Sequence, residues 1–196
     1  VKVGVLISGK GSNLRAVLQK KPAGVEVVTV ISNVPGVLGL EAAREHQVEA
    51  HVIRHQDSPS REAFDATLVK LLQASGVELV LLAGFMRLLT PVFLNAYKLK
   101  TINVHPSLLP AFPGAHAVSD ALAYGAKVTG VTVHFVDEGT DTGPIILQRA
   151  VAIEAGDDET TLHARLQKVE HELVPQALEL VALGKLSVNG RKVAHG

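Results

Sequence analysis

The sequence predicts an α/β protein: a mostly parallel central sheet between two layers of helices, with antiparallel strands added in the C-terminal half. Three observations predict it. Short β-branched and aliphatic runs recur along the first half, each followed by a stretch of helical periodicity, which is the pattern of βαβ units. The apolar content of 47% is carried by Val, Leu, Ile and Ala with only 4% aromatic residues, a mixture that suits helices packed on a sheet. In the second half the rhythm changes, and two alternating segments are joined by a connection too short for a crossover.

Taken in order, Val3 to Ile7 is a buried strand and Asn13 to Lys20 the helix after it, with Ser12 or Asn13 as its N-cap. Val25 to Ile31 is a second strand, Leu38 to His46 a helix, and Ala50 to Ile53 a short strand. Ser58-Pro-Ser-Arg opens a longer helix to about Ala74, since Pro is tolerated in a first turn. Leu79 to Ala83 is a strong strand that ends in Gly84-Phe-Met-Arg87. Thr101 to Val104 is a strand running into the proline-rich segment from His105 to Ala115. Ala117 to Tyr124 is helical, Val128 to Val136 alternates as a strand, and Ile145 to Ile153 is its antiparallel neighbour. Thr160 to about Leu183 forms one long helix, and the tail from Lys185 forms a hairpin turning at Asn189-Gly190. No repeat, linker or low-complexity stretch interrupts the chain, so one domain over residues 1–196 is expected.

Composition narrows the function. Lys plus Arg is 19 and Asp plus Glu is 19, a balance that argues against nucleic-acid or membrane-surface partners, which need a basic footprint. The absence of cysteine excludes disulfides, thiolate metal sites and a Cys nucleophile. No run reaches the ~18 apolar residues of a membrane span. Val1 and Lys2 lead straight into a strand and a glycine loop rather than a secretory leader, so a cytoplasmic protein is expected.

Four constellations could carry chemistry. The loop from Gly9 to Asn13 nearly spells two phosphate motifs. Gly11 stands where G-x-x-x-x-G-K-S/T needs its hydroxyl, and Leu14 where G-x-G-x-x-G needs its third Gly. With no magnesium ligand and a helix N-terminus behind it, the loop suits a single phosphate; a plain strand-to-helix turn would use the same glycines. Asn103 and His105 stand two apart on a strand and so share a face. An amide donor beside an imidazole suits acyl transfer, although an isolated N-x-H is better explained by strand capping. Asp141, in the acidic loop from Asp137 to Gly143, could orient a histidine or hold a water, or belong to an ordinary turn. Among nine histidines none has coherent metal-ligand spacing, and no metal is expected; His105, His116 and His134 lie nearest the proposed site.

Together, ISGKGSNL, LAGFMRLL, NVHPSLLPAFPG and VHFVDEGTDTGPIILQ resemble, in this order and spacing, the phosphoribosylglycinamide formyltransferase family of purine biosynthesis. The resemblance covers essentially the whole chain. It implies a Rossmann-like formyltransferase fold and transfer of a formyl group from 10-formyltetrahydrofolate to glycinamide ribonucleotide, without metal. The wider superfamily includes methionyl-tRNA formyltransferase, which adds a C-terminal domain and a basic surface, and formyltetrahydrofolate deformylase, which adds an N-terminal domain; a neutral chain of 196 residues is expected to be neither. Carried over position by position, the resemblance makes Asn103, His105 and Asp141 the catalytic set. Gly11, Ser12 and Asn13 would bind the substrate phosphate, with Gln167 and Glu170 reaching the same ribonucleotide. Met86, Arg87, Leu88 and Leu89 would line the folate pocket, with Arg61 nearby. Val136, Glu138, Gly139, Thr140 and Asp141 would close around the pterin, with Asn103 also within reach of the folate. One departure is Ala111, where some relatives carry a basic residue. The implied partners are these two small molecules, and a homodimer is compatible with the sequence.

Overall fold

The computed structural model describes residues 1–196. The first half contains β1 (Lys2–Ile7), α1 (Ser12–Lys20), β2 (Glu26–Ser32), α2 (Leu38–Glu45), β3 (Glu49–Val52), α3 (Arg61–Ala74), β4 (Leu79–Leu82) and α4 (Pro91–Ala96). The second half contains β5 (Thr101–His105), α5 (Ala117–Tyr124), β6 (Val128–Phe135), β7 (Ile145–Ala152), α6 (Glu159–Ala182) and the hairpin of β8 (Leu186–Asn189) and β9 (Lys192–His195). Seven strands form one sheet in the order β3-β2-β1-β4-β5-β6-β7. The pairings from β3 through β5 are parallel, and β6 and β7 are antiparallel to their neighbours.

Period-two alternation divides the core between the two faces. Val3, Val5 and Ile7 of β1 pack with α1, α2 and α6, whereas Leu6 packs with α3 on the other side. β4 repeats the division, with Leu79 and Leu81 on one face and Val80 and Leu82 on the other. β1 sits between β2 and β4, where the order of the sheet reverses, and in such sheets the ligand crevice lies at the strand C-termini of this point. The loops after β1 and β4 flank that crevice. No helix is long and apolar enough to cross a membrane.

The expected elements form, with most ends shifted by a residue or two, two local corrections and one added helix. α1 is not capped by Ser12 or Asn13; its N-cap is Gly11, at φ 68, with no side-chain capping bond. A Cβ on Gly11 would lie 2.7 Å from the Cα of Gly39 in the first turn of α2, and Gly39 N–H donates to Gly9 O at 3.1 Å. The close approach of two backbones demands glycine in the position a Ser would otherwise take. Gly11→Ala is therefore expected to destabilise the fold by at least about 1–2 kcal/mol from the left-handed backbone alone, read as a lower denaturation midpoint at unchanged m-value. α3 begins later than expected, because residues 55–57 form a separate 3₁₀ turn and the Ser60 hydroxyl accepts from Ala63 N–H at 3.1 Å, leaving Pro59 outside the helix. α4 is an element that the sequence pattern does not predict. It starts at Pro91 after Thr90, whose N–H and hydroxyl both donate to the buried Asp65 carboxylate at 2.6 and 2.7 Å.

Candidate active site

β5 delivers Asn103 and His105 to the sheet edge, and its pairing with β6 places Asn103 opposite His134. The loop after β6 then returns Asp141 to the same place. A Cβ on Gly143 would lie 1.7 Å from Phe135 O, so only glycine lets the loop fold back this tightly. Asp141 is at φ 54, and its Oδ2 accepts from Gly114 N–H at 2.8 Å. Its two oxygens face His105 Nδ1 at 3.5 Å and His134 Nε2 at 3.8 Å. The carboxylate, imidazole and amide expected from the sequence are thus brought together.

The carbonyl partners settle where the imidazole protons sit, because a carbonyl can only accept. His105 Nε2 lies 2.7 Å from Phe112 O and so carries a proton, which turns Nδ1 toward Asp141. His134 Nδ1 lies 2.8 Å from Phe135 O and carries its proton there. Its Nε2 is then an acceptor for Asn103 Nδ2, at 3.4 Å. One amide proton of Asn103 is directed at His134, and the other is left for a ligand. Burial pushes the His134 imidazole below its ordinary value near 6.5, more than the Phe135 carbonyl and Asp141 raise it, so the acceptor lone pair persists.

That shift has a stability consequence. Between the lowered folded value and 6.5 the unfolded chain binds more protons at His134 than the folded one, so stability rises with pH. The contribution is complete above pH 6.5 and is lost as pH falls through the folded value. His134→Gln is expected to flatten the acid-side decline in unfolding free energy; identical slopes in the two proteins would contradict the assignment.

The flanking loops supply two different surfaces. After β1, α1 begins at Ser12 with Gly11 as its N-cap and no side-chain capping bond, so no side chain caps the N–H groups of its first turn. Asn13 turns its side chain away, donating from Nδ2 to Glu170 Oε2 at 2.8 Å in a buried contact, so its backbone rather than its amide is available to an anion. Gln167 is half-buried one helical turn before Glu170. After β4, Met86 and Leu88 are 78% and 65% exposed, an apolar surface suited to a flat ring. Arg61 donates to Leu88 O at 2.9 Å, and Arg87 lies over the Phe64 ring at 5.2 Å. Val136 is half-buried, while Glu138, Gly139 and Thr140 form the exposed rim of a loop tied by Asp137 Oδ1 to Gly139 N–H and the Thr142 hydroxyl. His116 stands apart, exposed at the start of α5.

Other contributors were not singled out from sequence. Ser8 joins the two loops: its hydroxyl donates to Asn33 Oδ1 at 2.6 Å and accepts from Met86 N–H at 2.9 Å. Thr132 pins the segment after His105, donating to Ser107 O at 2.7 Å and accepting from Leu109 N–H and Gln148 Nε2. A Ser at the end of β1 and a Thr opposite His105 were visible signals, but only the strand register gives them partners.

An amide donor beside an imidazole–carboxylate pair, at the C-terminal end of β5 next to the switch-point strands β1 and β4, is an arrangement suited to acyl-group transfer. The chain matches the model of the formyl transferase family over residues 1–178, and it belongs to that family. It is 46% identical over 202 residues to phosphoribosylglycinamide formyltransferase of Mycobacterium tuberculosis, covering 98% of this chain and 93% of that protein. It is 50% identical over 190 residues to the trifunctional purine biosynthetic protein adenosine-3 of Drosophila pseudoobscura pseudoobscura; the match takes in 94% of this chain and only 14% of that larger protein. The crystal structure of glycinamide ribonucleotide transformylase 1 from Symbiobacterium toebii superposes with a TM-score of 0.97 at 47% identity, over 100% of this chain and 93% of that one.

Proposed function

We propose that the chain transfers the formyl group of 10-formyltetrahydrofolate to the amine of 5'-phosphoribosylglycinamide, in de novo purine biosynthesis. We take it to act as one domain, residues 1–196, in the cytoplasm. The observation that carries this reading is the meeting of Asn103, His105 and Asp141 at the sheet edge that also carries the N-terminus of α1 and the exposed apolar loop after β4. A phosphate on one substrate and a flat ring on the other would bring their reacting atoms over the catalytic group.

In this reading Gly11, Ser12 and Asn13 hold the phosphate through backbone N–H groups, and Glu170 and Gln167 engage the ribonucleotide. Arg61, Met86, Arg87, Leu88, Leu89 and the rim from Val136 to Asp141 hold the folate. The co-substrate supplies an electrophilic formyl carbon. Asn103 directs its free amide N–H at the oxygen where negative charge develops as the amine attacks. Asp141 and His105 Nδ1 accept the proton released by the amine and pass it on to the departing folate nitrogen. His105 and His134 are 5% and 2% exposed, so charge on this group is poorly screened by water and its interactions are strengthened.

Isothermal titration tests the choice of acceptor. Glycinamide ribonucleotide is expected to bind and a nucleotide-sugar amine is not, because the loop at Gly11 offers one phosphate site. Preference for the nucleotide sugar would overturn the assignment.

A further inference from the structure

Two residues without glycine's freedom hold positive φ beside the catalytic imidazole: Asp141 at 54 and Phe112 at 51. Aspartate visits this region at little cost, but a bulky side chain there is an outlier and persists only where its surroundings enforce it. The backbone of Phe112 has work to do in that position. Its carbonyl accepts from His105 Nε2 at 2.7 Å, and the Ser107 hydroxyl lies 3.2 Å from the same oxygen. Two residues on, Gly114 N–H donates to Asp141 Oδ2 at 2.8 Å. The turn from Phe112 to Gly114 thus holds both members of the imidazole–carboxylate pair, whose Nδ1 and Oδ2 stand 3.5 Å apart.

Any residue supplies a carbonyl, and glycine would supply this backbone without strain. The ring is what distinguishes phenylalanine here. It meets Tyr124 edge-on, with centroids 5.8 Å apart and planes at 67°. Tyr124 is the last residue of α5, a helix seated in the core by Ala117, Val118 and Ala121, yet its own side chain is 82% exposed. Ala111 and Pro113 on either side of Phe112 are exposed, so the ring ties the outside of the turn to the far end of α5. We infer that Phe112 is a positioning residue: its ring, seated on Tyr124, holds the strained turn whose carbonyl and N–H groups orient His105 and Asp141 toward each other. The inference rests on the proposed function and deepens it. The ring acts through His105 and not on a substrate, so its loss should fall on kcat and not on binding.

The experiment compares Phe112→Ala, Phe112→Tyr, Tyr124→Ala and the double alanine variant. Phe112→Ala keeps the strained backbone and loses the ring; kcat is expected to fall roughly tenfold, the upper range for an edge-on aromatic pair, with both KM values little changed. Phe112→Tyr keeps the ring and should keep the activity. Tyr124→Ala should lose about as much as Phe112→Ala, and the double variant no more than either. Because Tyr124 is exposed, its truncation leaves the core intact, and it carries the test even where Phe112→Ala folds poorly. An unchanged kcat in Tyr124→Ala, losses that add in the double variant, or a raised KM at unchanged kcat overturns the inference. Absence of formyl transfer by the unsubstituted protein would instead count against the proposed function. Imidazole nitrogen NMR then decides the role of Phe112 without substrates. His105 should carry its proton on Nε2 in the unsubstituted protein and divide it between both nitrogens in Tyr124→Ala; identical spectra overturn the inference.

Discussion

Asn103→Ala is expected to lower kcat by roughly 10²–10³, the cost of removing one preorganised oxyanion donor. The size of the effect follows from how the amide is held. His134 is fixed by its Nδ1 bond to Phe135 O and offers Nε2 to the Asn103 amide at 3.4 Å. The donor is thus aimed before the substrate arrives, and no reorganisation is needed when charge develops. The backbone of β5 keeps its ladder bonds in the variant, and Asn103 is only half-buried, so stability should change little. The check is kcat at saturating concentrations of both substrates, with the denaturation midpoint as control. A loss of less than about tenfold would remove Asn103 from the transition state.

Asp141→Asn should cut turnover by roughly 10²–10⁴, the range for a positioned acid–base group, with the folate KM changed far less. The substitution is nearly isosteric. Asn tolerates the left-handed backbone at φ 54 and can still accept from Gly114 N–H, so the loop should keep its course. What is lost is the negative charge facing His105 Nδ1 at 3.5 Å, and with it the partner for a proton taken from the amine. Near-normal turnover would exclude Asp141 from the mechanism. A collapse of folate binding at near-normal kcat would make its role structural.

Much of this frame is legible in the sequence, for definite reasons. The strands show because β-branched runs are bounded by glycine and polar turns, and α5 shows at its full extent because Ala117 to Tyr124 lies between a proline-rich loop and Gly125. α4 was hidden because six residues are too few to establish a period. The cap of α1 is not legible in its own segment because its cause, the approach of Gly39, lies in another helix. At the site, the shared face of Asn103 and His105 follows from strand geometry alone. Asp141 is joined to them in the sequence only through the resemblance of the motifs. The supporting contacts were out of reach: Phe112 O and Gly114 N–H are backbone groups that any residue would supply, and the His134–Asn103 bond depends on the register of β6 against β5.

The central claim is that the formyl group passes to an amine and not to water. The most direct measurement mixes the protein with 10-formyltetrahydrofolate and glycinamide ribonucleotide and follows all products by mass spectrometry. One formylated ribonucleotide should form for each folate deformylated, and folate should persist when the ribonucleotide is omitted. Free formate appearing in place of formylated ribonucleotide, or no consumption of folate, would contradict it.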